Sequence, residues 1–204
     1  MPAFFALLLL GLLSLGTPLE ASVPPFQHGD RVAFIGDSIT HGGRYHSDIY
    51  LYHATRFPNQ PFVAHNCGIS GDTAPGTNIR FESDIAVHRP TVATIMLGMN
   101  DAYGWAFDPS LALQEKISAQ ASSYDQYTQA MNQMARRLAK MDCRMVFIKP
   151  SIYDQTAVLD QKNLVGKNDQ LGRFAEYIDE LAIKYGASVV DFHTPMSVIN
   201  HVIQ

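Results

Sequence analysis

Short apolar runs alternate with longer segments of helical periodicity from residue 31 onward, and this alternation constrains the fold more than any other feature. The five runs are RVAFIG (31–36), FVAHNC (62–67), TVATIMLG (91–98), RMVFIK (144–149) and ASVVDF (187–192). Several are apolar at consecutive positions, which is typical of strands covered on both faces. Because repeated strand–helix–strand units need right-handed crossovers, the sequence predicts a three-layer α/β/α sandwich around a five-stranded parallel sheet.

The predicted helices follow from apolar side chains spaced three and four residues apart. The clearest such segment covers residues 124–141 and a second covers 171–185. This spacing predicts that each helix lays one apolar stripe on the sheet. Weaker spacing predicts further helices near 47–57 and 77–88.

The charge balance excludes nucleic acid as a partner. The 204 residues carry 15 Lys plus Arg against 19 Asp plus Glu, a formal net charge of −4, so there is no basic surface for a phosphate backbone. The two cysteines, Cys67 and Cys143, lack the paired spacing of a zinc site. No histidine pair has helical spacing with acidic neighbours, and neither GxxxxGK nor GxGxxG occurs, so we expect no metal and no cofactor.

The N-terminal segment predicts export. Residues 3–15 form an apolar run, and Ala21 offers a small residue where a signal peptidase cuts. The run is shorter than the roughly 20 apolar residues of a membrane span. We therefore expect a signal peptide over residues 1–21, a secreted or periplasmic domain over 22–204, and no stable membrane association after cleavage. Because no Lys or Arg precedes the run, a fraying apolar N-terminal helix is the alternative.

Polar and glycine-rich motifs follow the first three predicted strands, at the sheet edge where ligands of such folds bind. They read GDS (36–38), GISGDT (68–73) and GMND (98–101). Ser38 begins a helix whose free N–H groups favour a developing negative charge, so it suits a nucleophile. The N–H groups of Ser38 and Gly71 and the side-chain amide of Asn100 would together form an oxyanion hole with three donors.

This ordered set of motifs resembles the SGNH (GDSL-type) hydrolases, a family of serine esterases, lipases, thioesterases and carbohydrate deacetylases. The resemblance covers roughly residues 30–204 and implies a flavodoxin-like strand order of 2-1-3-4-5. It also implies that Ser38 is the nucleophile and that Gly71 and Asn100 line the oxyanion hole. The α/β-hydrolase motif GxSxG fits neither GDSIT nor GISGD, so that neighbouring family is excluded.

A serine hydroxyl needs a general base, and the histidine that the resemblance leads us to expect is missing. The family supplies an Asp-x-x-His block after the fifth strand, whereas this chain has Asp191-Phe192-His193, with one intervening residue instead of two. His193 is the nearest candidate. The sequence stops at Gln204 within a helix-like pattern, so we expect a truncated domain whose catalytic Asp and His lie beyond that residue. His41, one turn along the nucleophile helix, would point away from the serine hydroxyl.

These inferences combine into a serine ester hydrolase that forms an acyl-enzyme on Ser38. The expected substrates are small-molecule or carbohydrate esters, and the resemblance, export and an aromatic loop predicted over 101–122 favour carbohydrates. In that loop Tyr103, Trp105 and Phe107 either stack on a sugar ring or cover an acyl chain, or they form a small satellite core. The alternative function is an inactive binding homologue, or a truncated product that lacks the base.

Overall fold

The computed structural model of the protein describes residues 23–158 and 163–203. The predicted signal peptide, residues 1–21, lies outside these described residues. Within them, no helix has both the length and the apolar content to cross a membrane. Phe26, near the start of the described chain, packs against Phe34 and Phe62, so the segment before the first strand belongs to the domain.

In the described part of the chain, five parallel strands form one sheet in the order β2-β1-β3-β4-β5, which confirms the predicted architecture. The strands are β1 Arg31–Gly36, β2 Val63–Gly68, β3 Val92–Met96, β4 Arg144–Ile148 and β5 Ser188–Val190. β1 pairs with β2 on one side and β3 on the other, so the carboxyl ends of these three strands are adjacent. The loops that carry the three motifs therefore emerge at one edge of the sheet.

Helices connect these strands and cover the sheet. Those of the described residues are α1 Ser38–His41, α2 Arg44–Arg56, α3 Ala74–Ile79, α4 Phe81–Asp84, α5 Leu113–Ala139, α6 Lys167–Tyr185 and α7 His193–Ile203. Two 3₁₀ turns, Ala86–His88 and Gly104–Phe107, complete the described elements. The helices predicted near 47–57, 124–141 and 171–185 are confirmed as α2, α5 and α6.

The helix predicted near 77–88 is wrong as a single element. The segment forms α3, α4 and a 3₁₀ turn instead. The backbone departs from regular helical angles at Arg80 (φ −90°, ψ 7°) and at Ile85 (φ −118°, ψ −59°), so the hydrogen-bond pattern restarts at each point.

The loop predicted over 101–122 is wrong beyond residue 112, because α5 begins at Leu113. The inward positions of its first turns are Ala119 and Ser123, whose side chains are too small to produce a visible apolar stripe. The side chain of Glu115 accepts the N–H of Ala112 at 3.2 Å, which satisfies one donor at the start of the helix.

The sheet is covered on both faces, which explains the consecutive apolar positions in its strands. On one face, Tyr127 of α5 and Phe174 of α6 are fully buried and stack with ring centroids 4.0 Å apart. On the other face, Phe34 of β1 contacts Tyr45 of α2 and Phe26. This packing makes the sheet a rigid base for the motif loops at its edge.

Candidate active site

The turn from β1 into α1 presents Ser38 at the sheet edge. Gly36 has no room for a side chain, because a Cβ would collide with the Thr40 hydroxyl and lie 2.7 Å from the carbonyl oxygen of Met96. Ser38 is the first residue of α1, and its side chain is exposed. Among the residues that the structure describes, none forms a hydrogen bond with its hydroxyl. The hydroxyl is therefore accessible to a substrate.

Asp37, the residue before the candidate nucleophile, caps α1. Its Oδ1 accepts the N–H of Ile39 at 3.0 Å, and the residue is buried. Burial raises the pKa of Asp37, and the charge of Asp72 adds to the rise, whereas the Ile39 N–H and the cation of Lys167 oppose it. The capping bond fixes the start of the helix, and with it the position of Ser38.

A buried lysine at the start of α6, Lys167, interacts electrostatically with the carboxylate of Asp37. Lys167 is 8% exposed, and its Nζ lies 5.4 Å from the centroid of the Tyr153 ring. No ion pair joins it to any carboxylate of the described residues. Burial lowers the pKa of Lys167, and the charge of Asp37 opposes that effect. Sequence reasoning missed this residue, although a cation at the first position of a helix, where the helix dipole disfavours it, is a visible signal.

The loop after β2 carries Gly71 in a left-handed conformation, with φ at +80°. A Cβ there would meet nothing within 4 Å, so the backbone angle, and not lack of space, requires glycine. At Gly68 a Cβ would collide with the backbone of Thr40 and His41, which means that the end of β2 lies directly against α1. Within the described chain, neither Gly71 nor Ser38 donates its main-chain N–H to another group.

Asn100 connects the third motif to the second. Its Nδ2 donates to the carbonyl oxygen of Asp72 at 2.9 Å. A primary amide has two N–H donors, so the second stays available for a substrate oxygen. The next residue makes another connection, because Oδ1 of Asp101 accepts the N–H of Ala74 at 2.8 Å. These bonds hold the second and third motif loops together.

The carboxylate of Asp72 is itself held by three donors. They are the N–H of Thr73 at 2.9 Å, the hydroxyl of Thr77 at 2.7 Å and Nε of Arg80 at 2.7 Å. Arg80 also donates to the carbonyl oxygen of Cys67 at 2.8 Å, near the end of β2. The ion pair therefore anchors the motif loop to the sheet. Sequence reasoning missed Arg80, because its spacing from Asp72 matches no motif.

Asp101 lies beneath the site with one oxygen unsatisfied. Burial raises its pKa to about 7, and the charges of Asp37 and Asp72 add to the rise, whereas the N–H of Ala74 opposes it. Its Oδ2 has no hydrogen-bond partner among the described residues. A proton on that oxygen therefore removes one of three neighbouring negative charges near the site.

His41 contacts the loop after β2. Its Nδ1 accepts the N–H of Ser70 at 3.2 Å and lies 3.0 Å from the Ser70 hydroxyl. Its carbonyl oxygen accepts Nδ2 of Asn66 at 3.1 Å. Because Ser70 directly precedes Gly71, His41 connects the helix of the candidate nucleophile to the candidate oxyanion loop. The sequence gives no signal for this contact, since the two partners are 29 residues apart.

His193 lies at the start of α7, after β5. Its Nδ1 donates to the carbonyl oxygen of Pro150 at 3.2 Å, and its Nε2 faces Gly172 of α6. β5 is three places from β1 in the sheet, which corresponds to roughly 14 Å at the usual strand spacing. The structure therefore brings Ser38, Gly71 and Asn100 to one edge, and it holds His193 on the other side of β3 and β4.

Asp191 does not orient His193 in this structure. Its Oδ1 accepts the N–H of Thr194 at 2.8 Å, and its Oδ2 accepts the Thr194 hydroxyl at 2.8 Å. The same Oδ2 pairs with Nζ of Lys149 at 3.2 Å. Burial raises the pKa of Asp191, but these hydrogen bonds outweigh it, and the pKa is lowered. The carboxylate therefore stabilises the start of α7 and pairs with Lys149, the residue directly after β4.

The aromatic residues after the third motif divide between core and surface. Phe107 and its neighbour Ala106 are buried in the main core. Trp105 is 61% exposed, and its ring is nearly parallel to that of Tyr103, with an interplanar angle of 13°. Phe107 therefore belongs to the main core and not to a satellite core, whereas Trp105 presents its indole to solvent.

Comparison with known proteins gives a consistent family. A family model described as GDSL-like lipase/acylhydrolase matches residues 34–200. A gut microbial diltiazem-metabolizing enzyme of known structure is 38% identical, with a TM-score of 0.82 over 89% of this chain. The match covers 41% of that enzyme, so this chain spans less than half of its length.

An acetylxylan esterase from Geobacillus stearothermophilus is similar in fold. It is 20% identical, with a TM-score of 0.69 over 87% of this chain and 81% of its own. Variants of that esterase described as catalytic mutants replace a serine, an aspartate and a histidine by alanine, and the histidine lies three positions after the aspartate. No protein with a curated description matches the sequence.

Proposed function

The chain belongs to the GDSL-like lipase/acylhydrolase family, and from that premise we propose that it is a serine ester hydrolase acting through an acyl-enzyme on Ser38. One observation carries the proposal. The accessible Ser38 hydroxyl lies at the sheet edge where the N–H of Gly71 and the second amide N–H of Asn100 emerge, and hydrogen bonds between the motif loops hold these groups there. This is the combination that acyl transfer needs.

In the proposed reaction, the Ser38 oxygen attacks the ester carbonyl carbon and the hydroxyl proton passes to a general base. The carbonyl oxygen becomes negative and accepts hydrogen bonds from the N–H groups of Ser38 and Gly71 and from the Asn100 amide. Collapse of the tetrahedral intermediate breaks the bond to the leaving alcohol, which takes the proton from the base. Water then attacks the acyl-enzyme by the same route and releases the acid.

The proposed general base is the histidine of an Asp-x-x-His block beyond residue 204 of the full-length protein. More than half of the 38% identical enzyme lies outside the matched region, which is compatible with such a block. The catalytic mutants of the acetylxylan esterase, with an aspartate and a histidine at this spacing, support it. His193 is the alternative base, and it would have to leave Pro150 to reach Ser38.

The proposed substrates are short acyl groups on carbohydrates or other small molecules, encountered in a secreted or periplasmic location. The exposed Trp105 beside the third motif supports a ring-shaped substrate. The related gut enzyme, which metabolizes diltiazem, supports a site that accepts small molecules. Diltiazem and an acetylated xylo-oligosaccharide are therefore the two substrates to compare.

Labelling with a serine-directed fluorophosphonate tests the nucleophile. We expect the full-length protein to be labelled at Ser38, Ser38→Ala to be inert, and Ser118→Ala, which removes an exposed hydroxyl on α5, to be labelled like the wild type. Equal labelling of Ser38→Ala would overturn the assignment. The isolated 1–204 chain tests the base, because labelling at the full-length rate would favour His193.

The second candidate function is an inactive binding homologue. It is favoured by one observation, that no histidine of the described residues contacts the Ser38 hydroxyl. If the full-length protein resists the fluorophosphonate yet binds an acetylated oligosaccharide, this alternative is correct.

A further inference from the structure

The 3₁₀ turn after the third motif is anchored from inside and presents one large aromatic ring to solvent. Ala106 and Phe107 are 0% and 3% exposed. Trp105, which directly precedes them, is 61% exposed. The turn is closed by the N–H of Ala106 bonding to the carbonyl of Tyr103 at 2.9 Å and the N–H of Asp108 bonding to that of Trp105 at 3.1 Å. The indole is therefore exposed on a fixed backbone.

The ring of Tyr103 lies parallel to that of Trp105 and extends the aromatic surface. The two rings are nearly parallel, and their centroids are 6.2 Å apart, a separation at which parallel rings overlap little. The Tyr103 hydroxyl donates to Oε1 of Gln126 at 3.2 Å, which fixes the second ring on α5. Together the two parallel rings form an aromatic platform, with the side chain of Gln126 beside it. A platform ordered before binding loses little entropy when a ligand stacks on it.

The position of the platform relates it to the candidate active site. The N–H of Ala102 bonds to the carbonyl of Gly98 at 3.0 Å, and that of Tyr103 bonds to Asp101 at 2.9 Å, so the chain turns tightly here. Three residues span at most about 11 Å, which keeps Tyr103 within that distance of Asn100 along the chain. A substrate whose ester lies at Ser38 can therefore reach this platform if it contains more than one ring.

The charges near the platform favour an uncharged ligand. Asp72 is paired with Arg80 at 2.7 Å, and burial raises the pKa of Asp101 to about 7, so these carboxylates offer little net charge to attract an ionic ligand. The faces of aromatic rings are electron-rich and attract the polarised C–H groups of a pyranose ring. A neutral sugar offers such a face.

We propose that Trp105 and Tyr103 form a stacking subsite for a neutral pyranose ring of the substrate, next to the ester-cleaving site. The inference deepens the proposed function by naming where the sugar binds, and in its choice of ligand it rests on that function. Its test does not need catalysis, so the two fail independently.

The experiment uses intrinsic fluorescence, because Trp105 is the one tryptophan in the sequence. Titration of the full-length protein with xylotetraose should give a saturable change in emission, and xylitol, which has the hydroxyls without a ring face, should give none. If the full-length protein contains further tryptophans, the difference from Trp105→Phe isolates the signal of this site. Calorimetry should find that Trp105→Ala binds xylotetraose about tenfold more weakly, with Trp105→Phe between the two.

Tyr52→Ala is the matched control, since Tyr52 is similarly exposed, at 59%, but lies on α2. It should bind xylotetraose like the wild type. No saturable change with xylotetraose, or an equal change with xylitol, would overturn the subsite. In that case fluorophosphonate labelling of Ser38 would still support the esterase proposal. An emission that shifts with protein concentration alone would overturn it too, because Trp105 would then be covered by a second copy.

Discussion

The side-chain amide of Asn100 donates a hydrogen bond of 2.9 Å to the main-chain carbonyl of Asp72. This bond orients the amide. One N–H is held by the loop after β2, and the planar geometry of the group directs the other N–H away from that loop. The same bond holds the loop that carries Gly71. Asn100 therefore has two roles in the proposed site, as an oxyanion donor and as the link between two motif loops.

Replacing Asn100 by alanine should lower kcat for 4-nitrophenyl acetate by about 100- to 1000-fold, the usual loss for one oxyanion donor, with little change in KM. Asn100→Asp should be as inactive, because a carboxylate has no N–H to donate. Asn59→Ala, on an exposed turn, should behave like the wild type. A loss that appears mainly in KM would place Asn100 in ground-state binding and not in oxyanion stabilisation.

Replacing Gly71 and Gly68 by alanine should lower stability by different amounts, because Gly71 is required by its backbone conformation and Gly68 by lack of space. Gly71→Ala has open space but a positive φ, so urea unfolding should report a loss of about 1 kcal/mol with reduced activity. Gly68→Ala forces a Cβ into the backbone of Thr40 and His41, so the loss should be about 3 kcal/mol or more. Equal losses at the two positions would contradict the distinction between conformation and space.

Much of this architecture could be predicted from sequence, since β1 is predicted residue for residue and the other four strands to within one or two residues at each end. The signal is strong in β1, β3 and β4, which are buried along most of their length, whereas the edge strand β2 is exposed at Val63 and Asn66. The first turns of α5 gave no signal, because Ala119 and Ser123 are small. The family resemblance supplied the strand order, and the motif spacing gave the candidate residues Ser38 and Asn100.

The contacts that organise the site could not be predicted in this way. The bonds from Arg80 to Asp72 and from Ser70 to His41 depend on side-chain geometry between loops that are distant in sequence. A single sequence records residue types and local periodicity, and neither specifies which polar groups of two adjacent loops will pair. The burial of Lys167 could not be predicted either, because a cation at the start of a helix indicates an unfavourable position and not how exposed the side chain is.

Lys167→Met should raise stability at pH 7 by about 1 kcal/mol, because it removes a buried cation that has no ion-pair partner in the described residues. The sign follows from linkage: a lysine whose folded pKa is lowered destabilises the fold below that pKa, and stability recovers as pH rises towards 10.5. Urea unfolding at pH 7 and pH 10 should therefore differ less in the variant than in the wild type. A destabilised Lys167→Met would mean that the attraction between Lys167 and Asp37 outweighs the cost of burial.

Asp101 should make stability fall as pH rises from about 4 to 7. Its folded pKa of about 7 lies above the ordinary value of 3.8, so over this interval the folded state binds the proton that the unfolded state has lost. Three pKa units correspond to at most about 4 kcal/mol. Asp101→Asn keeps an acceptor for the N–H of Ala74 and cannot ionise, so its unfolding free energy between pH 5 and pH 8 should be flatter than that of the wild type. Parallel pH curves would show that Asp101 titrates normally.

His41 should act as a positioning residue and not as a base, because its Nδ1 accepts the N–H of Ser70, the neighbour of Gly71. His41→Ala should reduce kcat by about tenfold as the oxyanion N–H loses its orientation, with KM little changed. His41→Asn should restore most of the activity, since the side-chain oxygen of asparagine can take the place of Nδ1, and His28→Ala, at an exposed site, should have no effect. A base cannot be replaced by asparagine, so equal inactivity of His41→Ala and His41→Asn would favour proton transfer by His41. Rescue by asparagine alone would therefore separate the two roles in one set of kinetic measurements.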